Sequence, residues 1–242
     1  MKYFLLLCAL MTTFVLPARP AHAGTDSRDL SWTERVVTDD ELLNLEKSDP
    51  NLNINACREI LSRLNAMESF YVRENIRNGH KLKVPNDFSA YKDWTPLPVQ
   101  LPPALRASKF ILVVKGIPFL GWYESGVLVG DSQACIGNAG QDTKAGFYRV
   151  EDKDANHVSR SYPNEFGKPA WMPFSLHIYE AVYIHAGNVF GSRCSHGCVI
   201  LPIEKAEELF RWADNGITVL VLESLDELGK QLPRMTGAPA KR

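Results

Sequence analysis

Residues 185–202 read HAGNVFGSRCSHGCVILP, and the organisation of the chain follows from this stretch. It sets His185 and Cys198 on either side of a glycine-rich connector. A thiol attacks carbon only as its thiolate, so a catalytic cysteine needs a base or a positive environment beside it. The run Ala181-Val182-Tyr183-Ile184 is apolar and β-prone, which places His185 at the end of a strand. Gly187 and Gly191 then permit a sharp reversal that returns Ser195-His196-Gly197-Cys198 towards the histidine. Gly197 lets the backbone approach a substrate closely, so the amides around Gly197 and Cys198 are candidates to hold an oxyanion.

Two further blocks lie upstream. Residues 171–187 read WMPFSLHIYEAVYIHAG, a strand pair leading into the histidine, and residues 143–148 read TKAGFY. With the histidine, the Ser-His-Gly-Cys motif and the closing Leu-Pro, these blocks resemble the L,D-transpeptidase catalytic-domain family over roughly residues 107–223. Two positions depart from the family pattern. Lys144 stands where proline is usual, and Ile200 stands where arginine or asparagine usually follows the cysteine. Isoleucine cannot orient a loop or a substrate carboxylate as a guanidinium does, which bears on substrate choice more than on the nucleophile.

The resemblance implies a twisted β-sandwich and a chemistry without metal or cofactor. Cys198 would attack the L-centre carbonyl of a tetrapeptide stem of peptidoglycan and release D-alanine. The amine of a diaminopimelate on a second stem would then take the thioester. His185 would take and return the thiol proton, oriented by a backbone carbonyl because no carboxylate stands out as its partner. Ser195, His196 and Gly197 would shape the loop, and Tyr162, Trp171 and Gly187 would flank the substrate. Carbapenems would acylate the cysteine. The first rival is a hydrolase of the same chemistry, a carboxypeptidase or an amidase releasing a wall-linked lipoprotein. The second is a non-enzymatic wall-binding or zinc-stabilised module, with Cys194, His196, Cys198 and His185 as ligands. Cys-x-His-x-Cys is an unusual spacing for structural zinc.

Composition bounds the rest. The chain has 242 residues, 45% hydrophobic and 23% charged, enough for one substantial domain and a smaller element. A net charge of −1 gives no electrostatic reason to expect nucleic acid or an anionic membrane surface as partner. Met1-Lys2, the apolar run Tyr3–Leu16 and Ala21-His22-Ala23 read as a secretory signal peptide cleaved near Ala23, with a periplasmic product. The run is too short to span a bilayer. Four cysteines remain in the exported chain: Cys57, Cys135, Cys194 and Cys198. With Cys198 free, at most one pair forms among the other three. Cys194 with Cys135 is the preferred pairing, because the resemblance puts the Cys135 strand beside the active site. A Cys194–Cys198 bond, which would block the nucleophile, and a reduced Cys194 stay open.

In chain order, residues 24–85 read as a small helical region. Thr38-Asp39-Asp40-Glu41 starts a helix, Ser48-Asp49-Pro50-Asn51 breaks it, and a second helical rhythm runs from Ile54 to Ile76. Residues 86–106, with Pro96, Pro98, Pro102 and Pro103, read as an extended connector anchored by Trp94. Residues 107–225 carry short strands punctuated by glycine, one helix after Pro202, and a closing strand over Ile217–Leu222. The fold class expected is α+β, mainly a β-sandwich. The polar segment Glu151–Lys168 reads as a long loop walling an acceptor groove. Its charges, Asp152, Asp154, Arg160 and Glu165 among them, suit a zwitterionic diaminopimelate. The basic tail, 226–242, reads as flexible.

Overall fold

The computed structural model describes residues 30–163 and 166–228. The signal-peptide reading and the tail beyond residue 228 lie outside these residues, as do Asn164 and Glu165. Among the described residues no helix is long and apolar enough to cross a membrane.

The N-terminal unit opens with β1 (Trp32–Arg35), followed by α1 (Asp39–Ser48), α2 (Ile54–Leu64), α3 (Ser69–Arg77) and β2 (Leu82–Pro85). Thr38 caps α1 through its hydroxyl, which accepts the Glu41 N–H at 3.2 Å. Pro50 ends the helix as expected. The rhythm from Ile54 to Ile76 is two helices rather than one. Ala66, at φ 49°, takes the left-handed conformation that an α-helix cannot continue through. The unit is also more than helical, because β1 and β2 pair antiparallel. Leu42, Cys57, Leu61, Val72 and Val84 close its core.

The C-terminal half comprises β3 (Lys109–Val114), β4 (Phe119–Glu124), β5 (Val127–Gln133), β6 (Ile136–Gly137), β7 (Gly146–Arg149), β8 (Asp152–Pro163), β9 (Pro169–Tyr179), β10 (Val182–Ala186), β11 (Arg193–Ser195), β12 (Val199–Leu201), α4 (Ile203–Trp212) and β13 (Thr218–Leu222). One sheet runs β5-β4-β3-β13-β7 and the other β12-β10-β9-β8. The expected sandwich is present. Ile111, Trp122 and Val219 of the first sheet meet Leu176, Ile184 and Leu201 of the second, with Ala206 and Leu209 of α4 in the same core.

β3 and β13 read as continuous apolar runs because both faces of their sheet are covered. The second cover is the proline-rich connector, whose Leu97, Leu101 and Leu105 pack on Phe110, Leu112 and Leu220. Trp94 is its anchor, partly buried between the two units and in ring contact with Tyr91 and Phe119.

Two expectations fail. Residues 152–163 are not a loop: they are the edge strand β8, paired antiparallel with β9 to form a long arm. β8 is the edge of its sheet, and even its half-buried face carries polar residues, Lys153 and His157 among them, so its composition reads as loop. The flexible-tail reading of 226–242 fails at its start, because Leu225–Glu227 form a turn of 3₁₀ helix and Leu228 is buried against the connector.

Candidate active site

His185 lies near the end of β10, and β12 runs parallel to it with His185 opposite Ile200. Cys198 immediately precedes β12. The apolar strands Val182–Ala186 and Val199–Leu201 therefore bring the two ends of the connector together. Both side chains line one cleft of about 860 Å³, whose walls include Tyr183, His157, Trp171 and Tyr162.

His185 is buried, and its Nδ1 lies 2.8 Å from the Ala186 carbonyl oxygen. A backbone carbonyl is thus the orienting partner, fixing Nδ1 as the protonated nitrogen and leaving Nε2 as the base. Burial depresses the His185 imidazole to about 4, the Ala186 carbonyl opposing and His157 assisting. Burial also raises the Cys198 thiol, against the Tyr183 main-chain N–H, which favours the thiolate. The expectation that its surroundings hold Cys198 as thiolate is not met: thiol and imidazole are both neutral near pH 7. Among the described residues no hydrogen bond joins them. The Cys198 Sγ instead points at the Ala181 carbonyl at 3.9 Å. The arrangement suits proton transfer at the moment of attack rather than a standing ion pair.

The loop between β11 and β12 is held from within. The Ser195 hydroxyl donates to the Cys198 carbonyl at 2.6 Å and accepts the Gly197 N–H at 3.1 Å. Gly197 sits at φ +118°, where L side chains are strained. Its N–H being committed to Ser195, Gly197 does not supply the oxyanion amide expected of it. His196 is exposed and stacks on Tyr162 of the arm at 4.5 Å. Trp171, on β9, is largely exposed at the cleft wall. Gly187 lines the cleft, and a Cβ there would come within 2.9 Å of the Ile200 side chain.

Cys135 and Cys194 are disulfide-bonded, with Cα atoms 5.6 Å apart. This is the preferred pairing, and it leaves Cys57 and Cys198 as free thiols. A Cys194 bonded to Cys135 is no zinc ligand, which removes the four-ligand reading. Among the described residues no cluster of three or more His, Cys, Asp or Glu is disposed to hold a metal ion.

Several supporting residues escaped the sequence reading. Thr143 is fully buried, and its hydroxyl donates to the Gly197 carbonyl at 2.9 Å while accepting the Gly137 N–H at 3.0 Å. It appeared only as part of a motif block. Lys115, at the end of an apolar strand, is buried and pairs with Asp142 and, at 2.7 Å, with Glu223. Asp142 lies in the loop beneath Gly197 and also meets Arg193 at 3.4 Å. His157 was hidden in a segment whose polarity read as loop.

Residues 108–222 match the family model described as the L,D-transpeptidase catalytic domain. None of the curated proteins matches the chain. Among solved structures, an L,D-transpeptidase from Mycobacterium smegmatis is 18% identical, over 48% of this chain and 58% of that one, at a TM-score of 0.43. One from Stackebrandtia nassauensis is 20% identical, over 57% and 64%, at 0.45. The Enterococcus faecium L,D-transpeptidase is 22% identical, over 48% and 50%, at 0.43. Each match spans less than two thirds of the solved chain.

Proposed function

Residues 108–222 belong to the L,D-transpeptidase catalytic-domain family, and from that premise we propose that the protein is an exported cysteine acyltransferase that cross-links peptidoglycan stems. The observation that carries the reading is the shared cleft: a free thiol, a buried neutral histidine oriented by a carbonyl, and a glycine-bearing loop meet there. In the first half-reaction His185 Nε2 takes the Cys198 proton as sulfur attacks the L-centre carbonyl of a tetrapeptide stem. The C–N bond to D-alanine breaks, and the same proton goes to its nitrogen. In the second half an amine replaces sulfur at the carbonyl. The periplasm is the matching compartment, because it supplies the substrate and permits the Cys135–Cys194 bond.

Hydrolysis of the same thioester, giving the carboxypeptidase or amidase outcome, is the second reading. The openness of the cleft along the arm leaves room for water as acceptor. Incubation with a defined tetrapeptide muropeptide should release D-alanine and yield dimers, read by mass spectrometry. A carbapenem should add one acyl group to the intact protein. Cys198→Ala should abolish both events. Acylation that persists in that variant overturns the assignment of the nucleophile, and tripeptide as the sole product makes the protein a hydrolase.

A further inference from the structure

The second half-reaction poses a proton problem that His185 is badly placed to solve alone. A primary amine with a pKa of about 10 arrives as ammonium and has no lone pair until it loses a proton. His185 is buried, and its Nδ1 is already engaged with Ala186. The same cleft carries another imidazole. His157, on β8, lines the cleft and stacks on Tyr183 at 4.4 Å. Its Nδ1 lies 3.4 Å from Asp154 Oδ2. The other carboxylate oxygen of Asp154 accepts the Asn156 N–H at 2.9 Å, so the main chain holds the carboxylate in place. His157 Nε2 has no protein partner among the described residues. With the Asp154 carboxylate 3.4 Å from Nδ1, Nε2 is the nitrogen left to take a proton, and Asp154 would offset the charge once it is protonated.

Resting on the function proposed above, we infer that His157, oriented by Asp154, is the base that deprotonates the acceptor ammonium. His157 Nε2 accepts one ammonium proton, and the freed lone pair attacks the thioester carbonyl to form the C–N bond. Collapse of the tetrahedral adduct breaks the C–S bond. The second proton on nitrogen passes through His185 to the Cys198 sulfur, and His157 releases its proton to solvent. Protons and electron pairs balance with no further reactant. The arm is then a catalytic wall as well as a binding one. Asp154 attracts the ammonium, and Tyr183 holds the imidazole plane beside β10. The other titratable groups near this imidazole are Tyr183 and His185 of β10, and His177 of β9 meets the same Tyr183 ring at 4.8 Å.

The test compares acceptors that differ only in needing a base. The full chain and its His157→Gln variant are given a tetrapeptide donor at neutral pH. One acceptor is a diaminopimelate-bearing stem, and the other is hydroxylamine, which is already unprotonated. The ratio of stem dimer to hydroxamate should fall about 10²-fold in the variant, the low end of what a general base contributes. Asp154→Asn should lower it in the same direction. Hydroxamate formation certifies that the variants are folded and acylated. An unchanged ratio, or an equal fall of both products, overturns the inference while leaving the acyltransferase reading intact. Absence of D-alanine release from the unmodified protein defeats the proposed function itself.

Discussion

At the residue scale, burial makes His185 a point of acid weakness, whatever part it takes as the proposed base. Its folded value of about 4 lies below the 6.5 of a free imidazole. Between these values the unfolded chain binds the proton and the folded one does not, so stability falls as pH drops through the window. The full contribution is about 3 kcal/mol, present above pH 6.5 and lost by about pH 4. Urea midpoints of His185→Gln should accordingly vary less between pH 4 and 6.5 than those of the unmodified protein. The same variant should acylate 10²–10⁴-fold more slowly. A pH dependence identical to the parent's would mean that another group carries the acid sensitivity. Cys198 and His185 were legible because their neighbours are diagnostic: an apolar strand before one, a serine–glycine turn before the other. Their protonation states were not, since those depend on burial in the folded cleft, which no local pattern encodes.

At the scale of elements, the apolar strands and the caps were readable, and the polar strand was not. Leu112 and Leu220 announce a sheet covered on both sides, and Thr38 announces a helix start. β8 announces nothing, because its pairing with β9 is made by backbone groups and its half-buried face is polar, with Lys153 and His157 in place of apolar residues. The break at Ala66 was equally silent; two residues beyond its left-handed turn lies Glu68, whose N–H donates to the Val189 carbonyl in the other half of the chain. The Cys135–Cys194 bond joins β6 to β11 at the entrance to the nucleophile loop. Its 59-residue span gives a chain-entropy ceiling of about 4 kcal/mol for the bond. Replacing both cysteines with serine should lower the urea midpoint accordingly and slow carbapenem acylation, with Cys198 still present. Acylation at the parental rate would show that Ser195 and Thr143 suffice to hold the loop.

At the scale of the whole molecule, the two halves are one machine. Arg63 of α2 reaches Asp131 of β5 at 2.7 Å and the Trp94 carbonyl at 2.9 Å, both side chains of the ion pair being mostly buried. Gln133 donates to the Ser62 hydroxyl at 2.9 Å. Glu68 clasps the connector: its N–H donates to the Val189 carbonyl at 2.7 Å, and its carboxylate accepts the Val189 N–H at 3.3 Å. Burial raises the Glu68 carboxyl, against the Val189 N–H. Glu68→Ala removes the acceptor and should cost about 1–3 kcal/mol. It should also lower kcat for acylation more than it alters KM, since Val189 lies on the connector between His185 and Cys198 and not on the cleft wall. An unchanged kcat would reduce the N-terminal unit to a passive cover.

The clasp joins positions 121 residues apart in the chain. Contacts between such distant segments are entropically expensive to close and are favoured only once the intervening structure has condensed. We therefore predict that the connector between Cys198 and His185 is braced late, after β10 and β12 have paired and the N-terminal unit has formed. A partly folded chain would then hold both side chains on an unbraced connector.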